Sequence, residues 1–533
     1  MSTVYDHRLK TILAGILGLV LLITVGPVCH TEVNAKNKTS TSRVSTLPPL
    51  KNSFVVREGT ASDITCLALG KRKEVYAAGV SDKNSVIFKL DKKLGTIKEM
   101  VKFGSPKGQD SITDMAVDSR GNIFVTGYTN NRDFPVTGGS YDTELVAKGK
   151  LPSDEVFIVK FSPNLKLLAS TFVGGDADER AQAIAIDEHD NIYVAGYSEG
   201  GHPKYDKRFI PLPGAYDPIP APSGQAKALV AKLNNDLTRL LAATLLGGSK
   251  KKYDSDDEAY DLAIDHEGNV WVTGQSNSED FPVTRFALEP FYSGRGDIFV
   301  SKLNPDLSRL LASTYLGGMN QEMAVAMALD PKGDVFVGGW TESPDFPMVK
   351  GCYDTKYSHE EEDAFIVKLS GDLQKLKAAT YLGGNYDASG YGDDLLSAMA
   401  LSPDGKTLWV TGRSESENFP VTSDCYKSYT NDSDNPFGAQ YHRNAKKPRE
   451  TSSDDRDWGD GFITQLDSNL TQCRYSTFFG GDNLEYMDDI LVDGKELLLA
   501  GTTWSHAFPR ITTKKKEPWS RGFVIRFNWK KGR

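Results

Sequence analysis

One pattern recurs seven times along this chain, and self-similarity at that scale constrains the fold more than any single residue does. The clearest copies are DSITDMAVDSRGNIFVTGYTNNRDFPVT (110–137) and DEAYDLAIDHEGNVWVTGQSNSEDFPVT (257–284). Related stretches begin near residues 62, 179, 321, 394 and 485, and a glycine closes each one at 79, 127, 196, 274, 339, 412 and 501. The spacing between copies is uneven, so length varies in loops while the core pattern holds. Each unit has a second half, such as DIFVSKLNPDLSRLLASTYLGG (297–318). Its short β-branched and aromatic runs, bounded by Asp, Asn, Gly and Pro, read as strands. The D-x-x-G-N and N-P-D-L clusters read as hairpin turns, where Gly and Asn tolerate positive φ. Helical periodicity is absent. Four antiparallel strands per unit and seven units predict an all-β, seven-bladed β-propeller.

The two ends predict how the ring closes. The last unit stops at RGFVIRFNWKKGR (521–533), its third strand, while the folded part begins with NSFVVREGTASD (52–63), which reads as a fourth strand and turn. An N-terminal strand that completes blade seven removes two open sheet edges.

Upstream, a basic pair (Arg8, Lys10) precedes 19 uncharged residues, 11–29, and a small-residue cleavage pattern at Val33-Asn34-Ala35. This predicts a signal peptide over 1–35. An uncleaved membrane anchor also fits the length of the run, and Cys29 offers a lipidation alternative. All three place the remainder outside the cytoplasm, whether periplasmic, secreted or at the cell surface. Residues 36–50 read as a flexible linker and 51–533 as the propeller.

The motifs A-x-A-h-D-x-x-G-N-h-x-V-T-G-x-T (h apolar), D-F-P-V-T and D-x-F-V-x-K-L-N-P-D-L-x-x-L-x-x-S-T-Y-L-G-G resemble the SBBP β-propeller repeat of bacterial secreted and surface proteins. The resemblance covers roughly residues 52–533. It is weaker in blade three, where Phe209-Ile210-Pro211 replaces D-F-P, in blade seven, with Ala507-Phe508-Pro509, and in blade one, which lacks that loop. It implies the fold and no catalytic residue.

Loops between second and third strands, and links to the next blade, are expected on one face, which holds nearly all the length variation. A blade-six insertion (about 425–460) carries Tyr429, Tyr441 and Trp458, aromatics suited to protein contacts. A proline-rich blade-three loop (197–226) reads as a semi-rigid flap. Acidic residues recur at the start of the first strands: Asp110, Glu179, Asp257, Glu322, Asp394 and Glu485. They suit a cation-attracting funnel. The alternative, preferred here, is that they accept hydrogen bonds from backbone N–H groups in the inter-blade turns. A ring of roughly 11 Å radius is too wide for one shared Ca²⁺. Lys89, Lys160, Lys232, Lys302, Lys368, Gln465 and Arg526 share one third-strand position, where a pairing within each blade with the first-strand aspartates is expected.

The 8 His are scattered, with no H-x-x-x-H or C-x-x-C-H, no P-loop and no G-x-S-x-G. No catalytic residue, metal or cofactor is therefore predicted. Cys352 and Cys425, equivalent points one blade apart, are expected as free thiols. A net charge of −9 argues against nucleic acid. The function expected is a non-enzymatic, extracytoplasmic protein-binding or scaffold module with its partner on the loop face, such as a structural subunit of a large surface or periplasmic respiratory complex. Membrane contact is expected only through an N-terminal anchor. A glycan-binding or glycan-hydrolysing propeller using the same face is the alternative.

Overall fold

Near-continuous apolar runs bury both faces of the second and third strands, because each blade packs between two others. The computed structural model describes residues 50–55, 61–81, 84–104, 108–145, 153–175, 177–200, 209, 211–249, 256–358, 362–384, 392–416, 418–426, 459–481, 483–505, 507–508, 511–512 and 520–528. Among these residues there are seven four-stranded antiparallel sheets, one small two-stranded sheet in the blade-seven loop, and no helix. Blade two is typical: Asp110–Val117, Ile123–Thr129, Glu155–Phe161 and Leu167–Val173. Residues 47–533 form one compact unit. The signal or anchor segment 1–35 and the linker up to residue 49 lie outside the described residues.

Closure follows the expected route. Blade seven runs Glu485–Asp493, Glu496–Thr503, Arg521–Asn528 and then Leu50–Val55, with Ser53 opposite Ile525 and Val55 opposite Phe523. The strand begins at Leu50, the last residue assigned to the linker.

The closing glycine has a steric cause. Every first strand carries a β-bulge, as between Ile112 and Asp114 or Ala324 and Ala326. The bulge drives a first-strand carbonyl onto the glycine opposite, so that a Cβ on Gly127 or Gly339 would overlap the carbonyl oxygen of Ser111 or Met323. On the other side of that glycine lies a third-strand aromatic, Phe157 opposite Gly127 and Phe365 opposite Gly339. The D-F-P phenylalanine stacks on it: Phe134 on Phe157 at 4.7 Å, Phe281 on Phe299 at 4.5 Å, Phe346 on Phe365 at 4.7 Å. Phe209 is buried with Leu229 in the blade-three core although its motif is altered.

The turns depart from expectation in one respect. Gly121, Gly268 and Gly333 adopt positive φ in the D-x-x-G-N hairpins. In the N-P-D-L hairpins the left-handed residue is leucine: Leu94, Leu165, Leu237, Leu307, Leu373 and Leu470 all have φ of 54–56°. Left-handed backbone costs a branched residue about 1–2 kcal/mol. Here each leucine side chain is buried, and that burial offsets the strain.

The second-to-third-strand loops do not simply project from one face. In blade two the loop runs down the outer strand, with Thr137 N–H donating to Ser170 O at 3.2 Å and Phe172 N–H to Asp142 O at 3.0 Å. It then reaches the opposite turn of the next blade, where Tyr141 N–H donates to Leu237 O at 2.8 Å. Tyr216 meets Leu307, Leu288 meets Leu373 and Tyr353 meets Leu470 in the same way. In blades two to five the loops thus run along the outer strand and tie each blade to the next, covering edges that would otherwise be aggregation-prone.

Candidate functional site

At the start of the first strands, Asp110, Glu179, Asp257, Glu322, Asp394 and Glu485 stand where the repeat puts them, and all are 0–1% exposed. Apart from Asp394 Oδ1, their oxygens are used locally. One oxygen takes a Ser or Thr hydroxyl from the second strand: Thr129 to Asp110 at 2.5 Å, Ser198 to Glu179 at 3.0 Å, Ser276 to Asp257 at 2.7 Å, Thr341 to Glu322 at 3.0 Å and Thr503 to Glu485 at 2.6 Å. The other takes an amide of the Gly-Gly link between blades: Gly175, Gly248, Gly318, Gly384 and Gly481, at 2.7–3.1 Å. Asp110 takes Asn131 instead. A ligand on the surface does not reach these carboxylates, because the inter-blade turns close over them. Tyr429, Tyr441 and Trp458 lie outside the described residues.

Several of these acids face a second buried acid from the preceding third strand, Glu155 against Glu179, Asp297 against Glu322, Asp363 against Asp394 and Asp460 against Glu485. Burial pushes Glu322 and Asp394 up to about 8, with the facing aspartate adding to it. Glu179 and Glu485 are also pushed well up. The protonated form is the one that such a pair tolerates.

One residue further along the strands, a mixed layer surrounds the axis on the same side. The Arg180 guanidinium lies over the Tyr128 ring at 4.5 Å and binds Asp154 at 2.6 Å. Arg413 lies over Tyr486 at 5.1 Å and pairs with Glu415 at 3.0 Å. Tyr260 donates to Glu258 at 2.7 Å, and Tyr486 packs edge-on against Trp504. Tyr260, Tyr486 and Trp504 are partly exposed. Sequence reading missed this layer because its residue types differ from blade to blade. The only signal was position: the residues next to a regular acid are irregular.

The third-strand lysines divide in two. Lys302 pairs with Asp265 at 2.9 Å and Lys368 with Asp330 at 2.7 Å, within the blade as expected. Lys89 and Lys160 reach across to the next blade, to Pro163 O at 2.8 Å and Asn235 Oδ1 at 2.6 Å. Each lies over the aromatic beside it, as Lys302 does over Trp271 at 4.8 Å. Cys66, Cys352, Cys425 and Cys473 are free thiols. Among the described residues no group of three or more His, Cys, Asp or Glu is placed to hold a metal ion.

On the outer rim, the blade-four loop presents Phe286 at 64% and Phe291 at 80% exposure, and the blade-three loop presents Ile219 at 66%. The blade-four loop is held by its backbone: Thr284 N–H to Ser313 O at 3.0 Å, Leu288 N–H to Leu373 O at 3.0 Å and Tyr315 N–H to Glu289 O at 3.1 Å.

Comparison with known proteins agrees with the repeat. The SBBP β-propeller repeat family matches residues 102–135 and 243–282. Each match starts in an outer strand and ends at the D-F-P loop of the next blade, so the sequence repeat is offset from the blade by one strand. No curated protein matches the chain. Among solved structures, "Structure of U3-55K" is 10% identical over 90% of this chain and 99% of that one, with a TM-score of 0.47. BamB from Moraxella catarrhalis is 10% identical over 87% of this chain and 85% of that one, TM-score 0.37. Kuenenia stuttgartiensis hydrazine synthase is 10% identical over 69% and 77%, TM-score 0.35. Likeness at this level carries nothing about function.

Proposed function

We propose that this chain is a non-enzymatic, extracytoplasmic β-propeller that binds protein partners as an assembly or scaffold module. The observation that carries the reading is the pair Phe286 and Phe291. Large aromatics are costly to leave in water, and exposed ones on a pre-ordered surface have the character of interface anchors. Their loop is pinned at three backbone points, so little ordering entropy is lost on binding. Ile219 on the neighbouring blade extends the same rim. A structural place in a large surface or periplasmic complex suits such a module. The test is cross-linking and co-purification from native envelope fractions. Wild type should carry a defined partner that Phe286→Ser/Phe291→Ser loses while melting unchanged. Recovery only as a free monomer under several gentle conditions would count against the proposal.

The alternative is a glycan-binding face. The partly exposed Tyr260, Tyr486 and Trp504 beside Glu258 and Arg413 are the residues that favour it, since sugars stack on aromatics and bond to charged groups. A glycan array and a glycosidase panel, both silent, would remove it.

A further inference from the structure

The joint between blade seven and blade one differs from the other six. At most joints the third-strand cation is answered by a neutral or acidic turn in the following blade, with Asn164, Asp236, Asp306, Asp372 or Asn469 at the residue before the left-handed leucine. At the closing joint that residue is Lys93, preceded by Lys92, and the third-strand cation is Arg526. Elsewhere the cation faces an amide or an acid, whereas here it faces charges of its own sign.

An open cavity of about 440 Å³ lies at this joint, on the side of the hairpin turns and away from the long loops. Its walls are Lys73, Lys92, Asp493, Lys495, Glu496 and Arg526, with Gly494 between the acids. The two acids are each engaged, Asp493 with Lys73 at 2.7 Å and Glu496 with Arg526 Nη1 at 2.6 Å. Among the described residues Lys92 and Lys495 have no ion-pair partner, and both are exposed. Arg526 is 5% exposed, and its Nε and Nη2 have no hydrogen-bond partner among the described residues. Those two nitrogens form one edge of the guanidinium, the edge that takes two oxygens of one anion side by side. Unpaired donors buried in this way cost free energy that an entering acceptor recovers.

We infer that the closing joint is a binding site for a phosphate-type oxyanion, held side-on by the Nε–Nη2 edge of Arg526 and flanked by Lys92 and Lys495. Glu496 fixes the guanidinium from its other end and leaves that edge for the ligand. Because the Nε and Nη2 atoms are buried, entry requires the side chains over that edge to move aside. A free phosphate and a phospholipid headgroup present the same oxygens, and the experiment separates them.

Titration calorimetry of the purified full chain with inorganic phosphate, in about 0.15 M salt to screen non-specific attraction, is the first arm. Wild type should bind saturably with one site. Arg526→Lys keeps the charge and loses the fork, so it should weaken binding at least about tenfold. Lys92→Ser/Lys495→Ser changes only exposed side chains and should weaken it several-fold while melting as wild type does. Sedimentation with phosphatidylcholine vesicles containing phosphatidylglycerol is the second arm. Vesicle binding lost in these variants, with free phosphate inert, assigns the site to a headgroup. Silence of both probes, or binding unchanged in both variants, overturns the inference.

Discussion

The carboxylate of Asp489, in the first strand of blade seven, accepts the backbone N–H of Leu67, in the first strand of blade one, at 2.7 Å. The two residues are 422 positions apart. The same bond joins Asp114 to Ile184 at 2.9 Å and Asp261 to Met327 at 2.6 Å. Each aspartate sits just after its bulge and takes an amide from the next blade. Blades three, five and six have alanine there, at Ala183, Ala326 and Ala398, and blade one has Cys66. Blade seven therefore grips blade one with a side-chain-to-backbone hydrogen bond between first strands as well as through its completing strand.

Asp489→Ala should cost about 1–3 kcal/mol, since it leaves the Leu67 amide without this acceptor. Asp489→Asn, which keeps an acceptor, should cost less. Urea unfolding of the two variants decides it, and equal losses would show that the bond is not what matters at this position.

Removing residues 1–46 should leave the melting temperature nearly unchanged, whereas removing 1–58 should lower it and provoke aggregation. The second deletion takes away Leu50–Val55 and leaves Arg521–Asn528 as an open apolar edge. Paired melting and light-scattering curves of the two truncations test the closure; coincident curves would refute it.

Stability should fall as pH rises from about 4.5 to about 8. Burial pushes Glu322, Asp394 and Asp114 up to about 8 and Glu289 up to about 7. Facing carboxylates add to it, Asp489 and Asp261 in the case of Asp114. A folded pKa above the unfolded one means that the folded protein holds the extra proton throughout that window. Its stability is complete below the unfolded pKa and is lost on the way up to the folded one, by at most about 1.4 kcal/mol per pH unit per group. Asp265 acts in the opposite sense below about pH 4: although partial burial opposes it, Lys302 and Asn269 hold it down to about 2. Denaturant midpoints measured from pH 5 to pH 9 should decline, and Glu322→Gln should flatten the slope. A midpoint that climbs with pH would contradict the buried, protonated pairs.

Gly339→Ala should be among the most damaging single-methyl changes in the chain, at about 3 kcal/mol, because the added carbon meets a backbone carbonyl that cannot retreat. Phe346→Ala, which empties the space against Phe365, should cost about 3–5 kcal/mol. Gly351→Ala, at a positive-φ loop position with open space around it, should cost only about 1 kcal/mol. Thermal melting ranks the three, and a benign Gly339→Ala would mean that the bulge can relax.

The repeat by itself determined the blade number, the four strands of each blade and the donation of the first strand to the last sheet. These are local matters: short β-branched and aromatic runs, turn residues and the strand-like stretch that begins near residue 52 are written in consecutive residues. Gly127 and Phe134 were visible as a pattern, although their reason, a bulge carbonyl on one side and a stacked ring on the other, was not. What only the tertiary structure decided concerns groups that meet across blades. The sequence places Glu179, Asp257, Glu322, Asp394 and Glu485 beside the inter-blade turns, but only the fold shows that the Gly-Gly links bury them and donate to one oxygen of each. The loops that seemed to crown one face instead run down the outer strands to Leu237, Leu307, Leu373 and Leu470. Arg526 looks like one more repeat cation until its neighbour proves to be the blade carrying Lys92 and Lys93. A residue's charge and its strand can be read from neighbours in sequence, whereas its burial and its partner depend on the blade beside it, and at the closing joint that blade comes from the far end of the chain.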